Sequence, residues 1–221
     1  MKSKPAKTAI LIALSALSML PVMASAALVT DGGFEDGSVA SGPGYQTYYA
    51  TTAMGGWNVT AGNVDLINGY WTSAQGHQSV DLTGTDARGT ISQNISTVAG
   101  QTYYLTFEMS GNPDGAPETK KLDVSLGGVS LPIFSYTIGA NSDQNMNWET
   151  MSGFFTATTT GLELLQFSDV SVSNPIGNNG VALDEVSLVA VPEASTVIAG
   201  ILLLLPFGAS TLRILRKKRD I

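Results

Sequence analysis

Residues 27–190 show no convincing 3.6-residue apolar period. Short runs in which apolar and polar side chains alternate recur about every ten residues instead, separated by Gly, Asn, Asp and Pro. Tyr103, Leu105, Phe107 and Met109 form one apolar face, with Tyr104, Thr106 and Glu108 opposite. Leu122, Val124 and Leu126 repeat the pattern against Asp123 and Ser125. Further runs cover residues 64–67, 79–82, 90–95, 148–156, 162–167 and 181–189. Alternate residues of a strand face opposite ways, so about ten such strands predict an all-β, two-sheet jelly-roll sandwich. The last run breaks phase: Val181 and Leu183 share one parity, Val186 and Leu188 the other. One face can bury all four only with an extra residue, which predicts a bulge at Asp184-Glu185.

The two ends are of another kind. Residues 1–26 read as a secretory signal peptide. Lys2, Lys4 and Lys7 precede an apolar run over residues 8–20, Pro21 breaks it, and Ala24-Ser25-Ala26 is the small-x-small pattern that signal peptidase cuts. That run is short for about 30 Å of hydrocarbon, so it reads as a cleaved signal rather than an anchor. Residues 194–212 hold nineteen residues without a charge, and a membrane helix is expected over about 195–212. Pro206 inside it is tolerated in a membrane. Arg213, Arg216, Lys217, Lys218 and Arg219 follow and predict a cytoplasmic tail, which agrees with a signal peptide that sends residues 27–191 outside.

Val191-Pro192-Glu193-Ala194, the apolar span and the basic end resemble, in that order, the PEP-CTERM sorting signal of exopolysaccharide-producing bacteria. Ala194 stands where that pattern has a second proline. The resemblance implies passage across the inner membrane, retention there, and processing by an exosortase-type protease. The destination it implies is the cell surface or the extracellular matrix.

The intervening 165 or so residues suit one domain. Residues 27–212 carry seventeen acidic side chains against Arg88, Lys120 and Lys121, a net charge of −14, whereas the whole chain has −7. Nucleic acid is excluded as a partner, because it requires clustered Lys and Arg. Divalent cations, or solubility at a cell surface, remain compatible with the charge. The absence of cysteine removes disulfides, thiol catalysis and zinc–thiolate sites. His77 is the one histidine. With no Gly-x-Ser-x-Gly elbow to serve, it reads as a turn or edge residue.

A second resemblance covers about residues 27–190. It is carried by Asp31-Gly32-Gly33-Phe34-Glu35, Gly56-Trp57, Gly62-Asn63-Val64-Asp65-Leu66-Ile67, Tyr70-Trp71 and Gly76-His77-Gln78-Ser79-Val80-Asp81-Leu82. Gln93-Asn94-Ile95, Ala99-Gly100-Gln101-Thr102-Tyr103, Gly111-Asn112-Pro113-Asp114-Gly115 and Ala182-Leu183-Asp184-Glu185-Val186-Ser187 continue it. The stretch resembles the choice-of-anchor C family, which implies a galactose-binding-like jelly roll. Gly-Phe-Glu in a first strand and Leu-Asp-Glu-Val in a last one also resemble carbohydrate-binding jelly rolls. There, carboxylates from the two strands meet at structural calcium. The resemblance implies Glu35 and Asp184 as calcium ligands, with backbone carbonyls completing the shell. The alternative is that both are ordinary hydrogen-bonded or solvated carboxylates.

Tyr45, Tyr48, Tyr49, Tyr70, Trp71 and Trp148 are the aromatics available for stacking on sugars. Tyr70 and Trp71, between Gly69 and Thr72 in a loop-like stretch, are the candidates, while Trp57 reads as core. Residues 112–115 and 177–180 read as tight turns. No pair of carboxylates stands out for glycoside hydrolysis. The leading reading is an exported, non-enzymatic surface or matrix protein. The alternative is a calcium-assisted carbohydrate-binding module for exopolysaccharide, and a polysaccharide-active enzyme stands third.

Overall fold

The computed structural model describes residues 27–39, 44–172 and 177–192, and the alternating runs become strands. In chain order these are β1 (Gly44–Tyr49), β2 (Ala53–Met54), β3 (Trp57–Ala61), β4 (Asn63–Asn68) and β5 (Gln78–Asp81). β6 (Thr90–Thr97), β7 (Thr102–Gly111), β8 (Thr119–Leu126), β9 (Val129–Ser130) and β10 (Phe134–Thr137) follow. β11 (Glu149–Thr156), β12 (Gly161–Asp169) and β13 (Val181–Ala190) complete the set. They form two antiparallel sheets, and no helix occurs among the described residues. The first sheet runs β1-β4-β5-β13-β7-β11, the second β10-β8-β12-β6-β3-β2 with β9 beside β8. This is the two-sheet jelly-roll sandwich expected.

Alternation decides what lies between the sheets. Val64, Leu66, Val80, Leu105, Phe107, Leu183 and Leu188 face inward from the first sheet and Trp57, Ile91, Ile95, Leu122, Val124, Leu165 and Phe167 from the second. Trp57 sits at the centre, 5.7 Å from the Phe34 ring and 5.8 Å from Phe167, which meets Phe107 edge-on. Each such side chain contributes about 1.5–3 kcal/mol by leaving water.

The bulge in β13 is present. Asp184 pairs with Glu108 and Ser187 with Thr106, so Glu185 and Val186 together oppose Phe107 alone. Glu185 absorbs the extra step at φ +50°. As a result Val181, Leu183, Val186 and Leu188 all reach the core. The bulge also seats the N-terminal segment: Val186 N–H donates to the Gly32 carbonyl at 2.9 Å. A Cβ on Gly32 would lie 2.0 Å from the Val186 carbonyl oxygen, so only glycine fits.

The Gly-Phe-Glu segment is a set of turns rather than the first strand expected. Asp31 and Phe34 adopt φ +52° and +60°. That reversal swings Phe34 into the core, and the Asp31 carbonyl accepts the Trp57 indole N–H at 2.9 Å. Satisfying that buried donor opposes an extended path.

The outer face of the first sheet is partly covered. Ile67 of β4 and Ala182 of β13 are packed under Trp71 and Met146, with Trp148 alongside, as a second small core. This lid leaves two depressions on the face. One, of about 370 Å³, lies towards β7 and β11 beside Gln75, Glu108 and Trp148. The other lies towards β1 and β4.

Candidate functional site

The β1–β4 depression has a volume of about 180 Å³. Tyr45 of β1 lies opposite Ile67 of β4 and is 53% exposed. Tyr70 follows the left-handed Gly69 and is 42% exposed. The two rings meet edge to face at 6.1 Å, forming an aromatic lip. Asp65, Asp81, Asn112, Asp114, Asn178 and Asn179 line the rest, together with the apolar side chains of Ile67 and Trp71. Tyr70 Oη donates to Asp114 Oδ2 at 2.8 Å, and that bond to a charged acceptor pushes the Tyr70 pKa up to about 12. The phenol therefore stays protonated and holds Asp114 at the lip.

Beneath the depression the loops are tied by a buried polar network. Asp81 Oδ1 accepts the Thr83 and Gly180 N–H groups, and its Oδ2 accepts Asn112 Nδ2 at 2.8 Å. Asn112 Nδ2 also reaches the Asn178 carbonyl, and Asn112 Oδ1 accepts Asp114 N–H. Lys120, in phase with Leu122, Val124 and Leu126, is fully buried. Its Nζ donates to the Gly115 carbonyl at 3.0 Å and the Asn179 carbonyl at 2.6 Å, which joins the two loops that carry Asp114 and Asn178. Burial lowers the Lys120 pKa to about 8 against the pull of Asp81 and Asp169. Burial likewise holds Asp81 well above the carboxylate range.

Of the expected sugar-stacking pair, Tyr70 is at the lip and Trp71 lines the depression behind it, the two rings meeting edge to face at 6.0 Å. Trp71 is 3% exposed and its indole N–H donates to Ser79 Oγ at 2.8 Å. Its ring lies over Ile67 and Ala182 as part of the lid. The exposed partner of Tyr70 is Tyr45. Trp57 is core, as expected, and His77 sits in the exposed turn before β5.

Glu35 and Asp184 close on one loop, residues 74–78. Glu35 Oε1 accepts N–H from His77 at 2.6 Å and Gln78 at 2.9 Å. Asp184 Oδ2 accepts N–H from Ala74 and Gln75, and its Oδ1 accepts Glu185 N–H. N–H groups present their positive ends where a cation would stand, so these oxygens as arranged suit main chain rather than metal. Burial raises the Asp184 pKa to about 7 despite those bonds. Among the described residues no three His, Asp or Glu side chains gather as a metal-holding group.

Val191 extends β13: its N–H donates to the Thr102 carbonyl, and its carbonyl accepts Gln101 Nε2 at 2.6 Å. Pro192 follows as the last described residue. Glu193, Ala194, the apolar span, Arg213, Arg216, Lys217, Lys218 and Arg219 lie outside the described residues, as does the expected signal peptide. Among the described residues no helix is long and apolar enough to cross a membrane.

Sequence reasoning missed Asp114, Asn178 and Lys120 as site residues. Lys120 alone carried a signal, its even spacing from three core positions.

Residues 27–189 match the family described as "Protein of unknown function (DUF642)". Halomucin of Haloquadratum walsbyi is 35% identical over 168 residues, 73% of this chain and 2% of that protein, so the chain spans about a fiftieth of that relative's length. Among solved structures, the xylan-binding domain CBM22-1 of Paenibacillus barcinonensis Xyn10C is similar at 16% identity and a TM-score of 0.43, covering 71% of this chain and 100% of that one. A family 16 carbohydrate-binding module is similar at 15% identity and a TM-score of 0.45, covering 73% and 99%. Through residues 27–189, the chain belongs to the DUF642 family.

Proposed function

We propose that the chain is an exported, non-enzymatic surface or matrix protein whose DUF642 domain binds a glycan in the Tyr45–Tyr70 depression. The supporting observation is the lip of two exposed tyrosines over a floor of Asp and Asn side chains. Aromatic rings offer flat apolar area to the C–H faces of a sugar, and the carboxylates and amides supply acceptors and donors for hydroxyls. Asp81 accepts three hydrogen bonds from the protein itself, which argues against a role as acid or base on a substrate.

The test is binding of the exported chain to a polysaccharide panel that includes the producing cell's own matrix, with reducing ends assayed in parallel. Saturable binding is expected, with Tyr45→Ala and Tyr70→Ala each weakening it about fivefold, the size of one aromatic contact. No binding, or release of reducing ends, would sink the reading.

Delivery is the second part of the proposal. The choice-of-anchor C resemblance and the PEP-CTERM-like end support export by signal peptidase cleavage and sorting by an exosortase-type protease. Surface-associated protein is then expected to lack Arg213 to Arg219, and mass spectrometry that finds the tail there would remove the processing step. Calcium at Glu35 and Asp184 is a separate proposal, in which the 74–78 loop gives up its N–H contacts. Its check is a component of calcium binding that Glu35→Gln removes and Asp86→Asn leaves in place.

A further inference from the structure

Two buried oxygens at the start of β4 have no hydrogen-bond partner. Asn63 and Asp65 are 2% and 6% exposed and share the outer face of the first sheet, and the Oδ1 of each is unpaired. Buried acceptors are almost always satisfied, so a pair of orphans side by side requires a cause. Both border the same small space. A Cβ on Gly84 would lie 2.4 Å from Asn63 Oδ1 and 3.1 Å from Asp65 Oδ1, so both oxygens point at the glycine and a side chain there would displace them. Gly84 is held there because its N–H donates to the Asn63 carbonyl at 3.0 Å. Two residues on, exposed Asp86 contacts the Asn63 side-chain amide. Thr47, the β1 partner of Asp65, meets Thr85 hydroxyl to hydroxyl at 3.0 Å close by.

We propose that Asn63, Asp65 and Asp86 bind a divalent cation, and that the cation is calcium. Two carboxylates and an amide oxygen are hard donors, and threonine hydroxyls, carbonyls and water are the usual complement of a calcium shell. No thiolate or imidazole is offered to zinc or copper. The contrast with Glu35 and Asp184 is chemical: those oxygens already accept N–H donors, whereas Asn63 Oδ1 and Asp65 Oδ1 accept none, and a cation here would displace only the Asn63 amide N–H from Asp86 Oδ1. A cation here would pin the loop after β5 to β4. It would also fix Asp65, which lines the Tyr45–Tyr70 depression. The inference stands on the orphaned oxygens and does not depend on the glycan reading.

The experiment is calorimetric titration of the chelator-stripped exported chain with calcium chloride, with Tm measured on the same samples. The variants are Asp86→Asn, Gly84→Ala and Glu35→Gln. The wild type is expected to bind calcium and melt higher. Asp86→Asn, at an exposed position, should keep the metal-free Tm while losing about tenfold or more in affinity. Gly84→Ala should lose binding, and Glu35→Gln should retain it. Absence of calcium binding up to millimolar concentration overturns the proposal. So does an Asp86→Asn titration that matches wild type, including the case in which Glu35→Gln alone abolishes binding.

Discussion

Asp184 is a carboxylate that burial holds near neutrality, at a pKa of about 7 against an ordinary 3.8. Between those values the folded chain keeps a proton that the unfolded chain has released. Stability is therefore full below the ordinary carboxylate pKa and falls as pH rises towards 7. Asp31, Asp65 and Asp81 are also raised, each chiefly by burial, and act in the same sense. In chelator-treated buffer the Tm is expected to drop by several degrees from pH 5 to pH 8. Asp184→Asn, which cannot titrate, should flatten that slope; a slope unchanged from wild type would show that other groups set it. At this scale the sequence was informative about identity but not environment. Tyr70 and Trp71 look equivalent in a loop-like stretch, yet one is exposed at the lip and the other is buried as part of the lid. Contacts with Met146 and Trp148, far along the chain, make the difference.

Among the elements, β13 does the most. Its bulge was legible, because four apolar residues in two parities cannot share a face otherwise. What could not be read was the bulge's second role as the seat for the N-terminal turns, which depends on Gly32 meeting Val186 across the fold. Gly32→Ala would drive a methyl group into the Val186 carbonyl, and a loss of about 2–4 kcal/mol in urea unfolding is expected. Wild-type stability in that variant would mean the segment docks elsewhere. β4 to β8 and β11 to β13 were predictable from alternation, whereas β1 was not. Gly44–Tyr49 reads Gly-Tyr-Gln-Thr-Tyr-Tyr, without a clean period, since much of this edge strand remains in contact with solvent. The candidate site suffers most from this, because Tyr45 belongs to β1.

For the whole molecule, the placement of the depression relative to the chain ends matters. Asp81, Asn112 and Asn179 lie where β13 begins, while Val191 leaves where β13 finishes, about 30 Å away at the usual strand rise. The start of the described chain is at that same far end, with Leu28 N–H on the Leu188 carbonyl. A domain tethered through its C-terminal residues would thus hold the two tyrosines away from its tether. The lid of Trp71, Met146 and Trp148 interrupts the outer face of the first sheet and separates its two depressions. On the proposed glycan reading, that interruption favours a terminus or a side branch over an extended polymer lying across the face. Affinity for oligosaccharides is then expected to stop rising with degree of polymerisation after about two or three units, as a space of about 180 Å³ holds little more than one ring. Calorimetry on a length series checks this, and affinity that keeps climbing with each added unit would mean the lid swings aside. A matrix held by such a domain would be gripped by the ends and branches of its strands, leaving their lengths free to slide.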